Sequence, residues 1–592
     1  MTVSKLADAE GQAPEPTAPG QPGAARANLY VARMLQQHLV DEPAAKSWTG
    51  DGSAVLVDIS GFTKLSEALA RKGREGAEQI TELIGRIFEL MLAVAYDSGG
   101  SLLKFGGDAL LLWFEGDGHA PRACRSTLLM RDVLREVGAV ELPGVSATLR
   151  MSQGVHSGRF HFFAVGSAHL ELLPVGPAWS RLVAMQHAAD PDEILISAET
   201  AALVPRDCVD EPKGPGLVLR EEPPGYGDKM PRRPRPQMST EMVAHCLPPA
   251  IRAHVMGGGG IPEHRPVTIA FIRFEGTDAL IEERGAPAAA DALHRLLSVV
   301  ETAVDEQGVS FLASDVDADG GKLILTGGAP KATGNDEERM LLALRKIVSS
   351  ELPIPVRIGV HRGAVFAGDI GPIYRRAYTV MGDAVNLAAR LMARADPGHI
   401  YATTDVLDRS NTAFEATRLE PFAVKGKAEP VQAWAVGRAQ SSKARQVSSQ
   451  RLPLTGRNAE LGIMRKAFAS ARSGAGRVIE VVGDSGIGKT RLLEALRDAA
   501  AGLNKQRATC EAYTASAPYA VWSELLREYM KFGREDPETV IVERLREEVV
   551  KSAPDLVPWL PLIAVAFGLE VAATPEVEML AQANRRAKVH ES

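Results

Sequence analysis

The stretch MGDAVNLAAR at 381–390 sets Asn386 and Arg390 four positions apart, which on a helix puts them one turn apart on a shared face. A guanidinium held by a helix is a preorganised donor for negative charge. A second pair is acidic: Asp58 sits near the end of the apolar run AVLVDIS at 54–60, and Asp108 sits in KFGGDAL at 104–110, within a segment that reads as a hairpin. On neighbouring antiparallel strands the two carboxylates can meet, and converging carboxylates require a cation. Hard oxygen ligands beside a phosphate suit Mg²⁺, with paired ions about 4 Å apart activating one oxygen and steadying the departing one. The alternative has Asp58 capping the following helix and Asp108 serving as a turn residue. A third cluster is Gly483-x-x-x-x-Gly488-Lys489-Thr490, within VIEVVGDSGIGKTRLLEALRDAA at 478–500. A β-branched strand before it and an amphipathic helix after it are the setting of a phosphate-binding loop. There, backbone N–H groups hold the β-phosphate, Lys489 reaches the β and γ oxygens, and Thr490 holds Mg²⁺.

The elements that must position these groups are duplicated. The chain matches itself at an offset near 206 residues: GVHSG at 154–158 with GVHRG at 359–363, PVGPAW at 174–179 with VMGDAV at 380–385, and ADPDEILIS at 189–197 with ADPGHIYAT at 395–403. Each copy opens on a β-rich run, AVLVDIS or VTIAFIRF at 267–274, and continues with helical spacing and then alternating strands and helices. The copies differ where the chemistry sits. With Gly61 set on Gly276, Arg273 takes the place of Asp58; with Gly176 set on Gly382, Ser180 stands opposite Asn386 and Ala184 opposite Arg390. Each copy holds what the other lacks, the pattern of a domain pair that had two sites and kept one.

On these residues, 49–437 resembles the paired catalytic domains of class III adenylyl cyclases of the soluble, bicarbonate-responsive type. The resemblance implies an α+β fold of two tandem ferredoxin-like domains in a pseudo-twofold pair, with one centre between them that converts ATP to 3′,5′-cyclic AMP and pyrophosphate. It implies Asp58, Ile59 and Asp108 as ligands of two Mg²⁺ ions, for which Mn²⁺ can substitute. Arg390 would serve the α-phosphate, Asn386 the ribose, and Lys425 of PFAVKGKAEPVQAW at 421–434 the β and γ phosphates, with Lys427 as its fallback. Lys104 and Thr379 match the positions that donate to the adenine ring and accept from N6. A guanylyl cyclase would carry Glu and Cys there, and polar pairing of this kind discriminates strongly. Bicarbonate or another small regulator is the expected occupant of the vacated second site, with Arg181 as the candidate cation. The segment LTGRNAELGIMRKAF resembles the start of AAA-like ATPase modules fused to such cyclases. No apolar strand ending in Asp or Asp-Glu follows before Ser592, so a partial α/β P-loop NTPase domain acting as a regulator is expected. The rival readings are a degenerate pair that serves as a nucleotide-sensing switch and a guanylyl cyclase.

At 592 residues the chain spans several domains, and its 45% hydrophobic and 24% charged residues are those of globular chains. The boundaries read as a disordered 1–27, a helical lead-in at 28–48, a first domain at 49–220, a Pro- and Gly-rich linker at 221–262, a second domain at 263–438, a polar linker at 439–451 and a third unit at 452–592. Net charge is −7, from 67 basic and 74 acidic residues spread along the chain, which argues against nucleic acid as a partner. Four scattered cysteines without a CxxC give little support to disulfides or zinc and fit a reducing, cytoplasmic setting. No 18-residue uncharged apolar run and no leader pattern occur, so no membrane span is expected. Because one chain supplies both halves, a monomer suffices.

Overall fold

The computed structural model describes residues 22–442 except 62–64, 66–68, 70–73, 143–144, 232, 260–261, 333, 411 and 424–429, and beyond them chiefly 456–483, 519–530, 538–567 and 571–580. Two compact units meet in sequence at Ser442. The first opens with α1 (Pro22–Ala27) and α2 (Arg33–Asp41), then β1 (Ser47–Ser60), α3 (Arg74–Asp97), β2 (Gly100–Gly106), β3 (Ala109–Glu115) and α4 (His119–Val137). A small hairpin, β4 (Ala139–Leu142) and β5 (Val145–Thr148), precedes β6 (Arg150–Val165), β7 (Glu171–Pro174), α5 (Pro177–Ala188), β8 (Ile194–Ile196), β9 (Val209–Lys213) and β10 (Gly216–Leu219). The sheet order is β2-β3-β1-β6-β8-β10-β9, with β7 on β6.

The second half repeats it. After α6 (Thr240–His245) and α7 (Pro249–Met256) come β11 (Glu263–Glu275), α8 (Thr277–Gln307), β12 (Ser310–Asp317), β13 (Gly320–Gly327), α9 (Asp336–Ser349), β14 (Val356–Ile370), β15 (Ala377–Met381), α10 (Asp383–Arg394), β16 (Ile400–Thr403), β17 (Thr412–Arg418) and β18 (Ala433–Ser442). The order β12-β13-β11-β14-β16-β18-β17, with β15 on β14, is that of the first sheet strand for strand. The duplication read from sequence is therefore present in the topology.

Alternation along β1 shows how the halves share a core. Val55, Val57 and Ile59 pack with Ile84, Phe88 and Leu128 of the helices on one face of the sheet. Ala54 and Leu56 point the other way, into a core that also holds Ile269, Phe271 and Leu312 of the second half. Because both faces are buried, the strand is written as an unbroken apolar run, and Asp58, in step with Ala54 and Leu56, falls on the face turned toward the second half.

The structure departs from expectation at the amino-terminal segment, in the linker and in the third unit. Residues 22–27 form a helix rather than disorder, with Ala27 buried and Arg26 bonded to the Gly258 carbonyl, because Ala-rich sequence is helical wherever it finds a surface to pack on. The linker at 221–262 is also ordered in large part. It contains α6 and α7, whose Val243, Ile251 and Val255, with Cys246 and Leu247 between the helices, fill the shared core, while Arg235 donates to the carbonyls of Asn28, Val31 and Tyr374. Its Pro and Gly residues concealed this short apolar spacing.

The second unit contains α11 (Asn458–Arg472), α12 (Ala520–Tyr529), α13 (Glu538–Ser552) and α14 (Leu560–Ala566), with Ile541, Leu545, Leu560 and Phe567 in a small core. The strand expected at 478–482 is absent: Val478 is 99% and Val482 82% exposed. A strand needs neighbours to take its backbone groups, and none is formed beside it among the described residues. No described helix is long and apolar enough to cross a membrane.

Close approach of helix to strand sets the position of α10. A Cβ on Gly359 of β14 would lie 2.0 Å from the Met392 nitrogen and 2.4 Å from the Ala388 oxygen; Gly154 of β6 stands the same way against α5. These are the first glycines of GVHRG and GVHSG, and only a missing side chain lets each helix lie on its strand. Gly359→Ala is expected to cost roughly 3 kcal/mol in urea unfolding, whereas Gly85→Ala, with open space around it in α3, should be neutral or stabilising by up to about 1 kcal/mol.

Candidate active site between the two halves

Asp58 is paired with Ala109 across β1 and β3, so it lies beside the β2–β3 turn that carries Asp108. Gly107, at φ 72°, turns the chain there. Neither carboxylate has a Lys or Arg within ion-pair distance among the described residues. Burial raises the Asp58 carboxyl above the usual range, with His187 opposing, Asp315 of the second half adding to the rise, and Lys322 opposing. Burial, then Asp58, then Asp315 push Asp108 up to about 7, against a backbone hydrogen bond that lowers it. Ile59 has its side chain in the helix-side core, so it can offer the site only its carbonyl.

The matching position in the second half is built differently. Asp58 lies two residues beyond Leu56, which faces Gly154, and Arg273 two beyond Phe271, which faces Gly359, so Arg273 is the counterpart of Asp58, as the sequence suggests. Arg273 faces Lys322 where Asp58 faces Ala109, which makes Gly321 the counterpart of Asp108. The hairpin runs two residues further and ends in Asp317 and Asp319. Arg273 and Lys322 each lie 3.4 Å from Asp317, and Ser180 of α5 accepts from the Asp319 N–H at 2.7 Å. One hairpin tip carries its own cations; the other presents two bare carboxylates. The first tip therefore offers the un-neutralised oxygen donors that a hard divalent cation takes. Among the described residues no three His, Cys, Asp or Glu side chains form a metal cage, so a cation at Asp58 and Asp108 would take its further ligands from the Ile59 carbonyl, water or a bound anion.

A cavity of about 300 Å³ opens beside this tip. The first half lines it with Lys104, Asp108 and Glu171, the second with Asp315, Lys322, Thr379 and Asn386, and the lead-in and α7 close one side with Tyr30 and Ile251. Asn386 and Arg390 lie on α10 as expected, but Arg390 is not among the cavity-lining residues. Thr379 is buried on β15 opposite Gly368. Lys104 reaches the cavity with its ammonium already engaged, 2.5 Å from Glu171 and 2.7 Å from the Ser314 hydroxyl. Its counterpart by register in the second half is Ala313. Arg181 does not join Lys104: its side chain is 59% exposed on α5 and pairs with Glu199 at 3.1 Å. Lys425 and Lys427 lie outside the described residues, as do Gly488 and Thr490. Lys489 donates to the Gly483 carbonyl at 2.6 Å.

Sequence reasoning missed Glu171, Asp315 and Lys322. Glu171 sits in an otherwise apolar stretch, LELLP, and a lone carboxylate in such a strand was the available signal.

Residues 261–437, the second half, match the family model of the adenylate and guanylate cyclase catalytic domain, and residues 453–588 match that of an AAA ATPase domain. The chain is 26% identical over 518 residues to adenylate cyclase type 10 of Homo sapiens, covering 77% of this chain and 31% of that protein. It is 25% identical over 458 residues to the Mus musculus protein of the same name, covering 68% and 28%. The chain thus spans about a third of the length of these relatives. Among solved structures, a class III adenylyl cyclase-like ATP-binding protein from Pseudomonas aeruginosa covers 66% of this chain and 92% of its own, at 12% identity and a TM-score of 0.46.

The raised Asp108 carboxyl gives a signed prediction. A folded pKa above the unfolded value leaves stability intact below about pH 4 and removes it as pH rises through about 7. In divalent-free buffer, urea stability should fall across that window by on the order of 4 kcal/mol. Asp108→Asn should remove most of the slope, and Mg²⁺ should restore stability at pH 7.5 in the wild type alone.

Proposed function

We propose that this chain, whose residues 261–437 match the adenylate and guanylate cyclase catalytic domain and 453–588 an AAA ATPase domain, converts ATP to 3′,5′-cyclic AMP and pyrophosphate in the cavity between its two halves. The observation that carries the proposal is the division of labour around that cavity: Asp108, with Asp58 beside its turn on β1, from one half, Asn386 and Thr379 from the other. A pseudo-twofold pair that lost opposite groups from each of two original sites accounts for it.

Asp58 and Asp108, with the Ile59 carbonyl, would hold two divalent cations, which supply Lewis-acid activation of the ribose 3′-oxygen and neutralise the triphosphate. The chain's own groups do the rest. Asn386 orients the ribose so that its 3′-oxygen faces the α-phosphorus in line with the departing pyrophosphate. As the O3′–P bond forms and the bond to the bridging oxygen breaks, Arg390, one turn further along α10, meets the charge that grows on the α-phosphate oxygens. Lys425 is assigned to the β and γ phosphates. Thr379 accepts from N6 of adenine, and Lys104 keeps one N–H beyond its bonds to Glu171 and Ser314 for a ring nitrogen. A small anionic regulator such as bicarbonate would have to use Lys104 without Arg181. The AAA domain is assigned a nucleotide-dependent regulatory role.

One observation favours a second substrate. Asp315 puts an acceptor on the cavity wall, and guanine, unlike adenine, presents two adjacent donors that a carboxylate can take together. Cyclic nucleotide formation by the whole chain with ATP and with GTP, under Mg²⁺ or Mn²⁺, separates these readings. Cyclic AMP is expected, with Arg390→Ala reducing the rate on the order of 10²–10³-fold. Cyclic GMP as the sole product would move the assignment to Asp315, and no product from either nucleotide would leave the degenerate nucleotide-sensing switch.

A further inference from the structure

Lys104 is the visible end of a buried chain of charges that crosses between the halves. Its partner Glu171 uses one oxygen for Lys104 and Ser314 and the other, at 3.2 Å, for Nε2 of His169. His169 is fully buried, and its Nδ1 lies 3.0 Å from Glu301 on α8 of the second half. Glu301 also accepts from the backbone N–H groups of Ser167 and Ala168 at 2.7 and 3.0 Å, which fastens the β6–β7 loop onto α8. A carboxylate lies within 3.2 Å of each nitrogen of this imidazole, which favours the doubly protonated ring, because either neutral tautomer turns a lone pair toward one carboxylate; only the Nε2 contact is aligned as a hydrogen bond.

The equivalent loop of the second half shows what a permanent version looks like. Arg375 occupies the place of His169, two residues before Ala377, the counterpart of Glu171. It is buried and donates to the carbonyls of Leu29, Leu103 and Arg376. A guanidinium stays charged at every physiological pH. One loop is fastened by a fixed charge; the other, beside Lys104, is fastened by a group that can lose its charge.

We propose that His169 is a positioning residue of the nucleotide cavity: doubly protonated, it holds Glu171 and Glu301 together across the halves, and on losing a proton it releases one of them and lets the Lys104 wall move. The inference rests on the nucleotide reading of the cavity given above. Every group that faces the imidazole fits the assignment. Glu171 on β7 and Glu301 on α8 are anionic, and the Phe311 ring of β12 packs edge-on at 4.8 Å. His294 of α8 accepts from Gly166 N–H at 3.3 Å rather than meeting His169, and Cys246 feels the Glu171 charge from the linker side. The two carboxylates hold the His169 pKa above its ordinary value against the opposing effect of burial, and Glu171 and Glu301 are lowered in turn.

The test is binding of a fluorescent ATP analogue with Mg²⁺ to the whole chain, from pH 6 to 9, for wild type, His169→Gln and Glu301→Gln. Wild-type affinity should weaken several-fold as pH rises through the His169 pKa. His169→Gln should lack that step and keep the weaker value, and the ligand's own titration will appear equally in both. Glu301→Gln removes the carboxylate that opposes the neutral ring, so its step should move to lower pH, which a merely structural role would not produce. Parallel wild-type and His169→Gln profiles, or a Glu301→Gln step that stays in place, would overturn the proposal. If no variant binds nucleotide, the cyclase reading fails and urea midpoints decide on the relay by itself. A folded pKa above the unfolded value of about 6.5 keeps stability at low pH and loses it as pH rises through the folded value, so wild type should lose stability there and His169→Gln should not. Equal slopes would end it.

Discussion

Two half-buried carboxylates at one hairpin turn without a cation of their own are the constraint on which the first unit turns. Burial opposes the charge on Asp58 and Asp108, Asp58 adds to the difficulty at Asp108, and Asp315 across the seam adds to both. Such a site is stable only when protonated or when something positive is brought to it. The second hairpin shows the structural solution: Arg273 and Lys322 neutralise its tip and Ser180 holds it against the first half. The first hairpin leaves the same need to be met by a ligand, which makes that end of the seam the candidate site and the other a joint.

The remainder of the unit holds the groups around that tip at fixed distances. Alternation along β1 turns Asp58 toward the seam, and the glycine that lets α10 lie on β14 sets where Asn386 and Arg390 stand. The linker between the halves, through α6 and α7, fills the core beneath the cavity. A change in that segment would therefore be felt at the cavity wall. The loops at His169 and Arg375 then fasten the halves from both sides, one with a charge that pH can remove.

Periodicity and self-similarity made the architecture legible. The hairpin at 99–114, the two halves and the counterpart relation between Asp58 and Arg273 were all readable because strand alternation and the GVHSG/GVHRG match depend on local sequence alone. The readings that failed involve partners distant in sequence. Residues 22–27 and the Pro-rich linker gain their order from a core assembled elsewhere, and the β-branched run at 478–482 lacks the neighbouring strands that would make it one. Lys104 looked like a donor awaiting a base because Glu171 is 67 residues away and Ser314 is 210. Sequence order gives no hint of those bonds.

The most direct measurement is a structure of the whole chain with a non-cyclisable ATP analogue and Mn²⁺, using anomalous scattering to locate the metal. The expected result is Mn²⁺ at Asp58 and Asp108, with the α-phosphate facing Arg390 and the base beside Thr379. Metal or phosphate at the second tip, beside Asp317 and Asp319, or an empty cavity with the nucleotide bound only in the AAA domain, would contradict it.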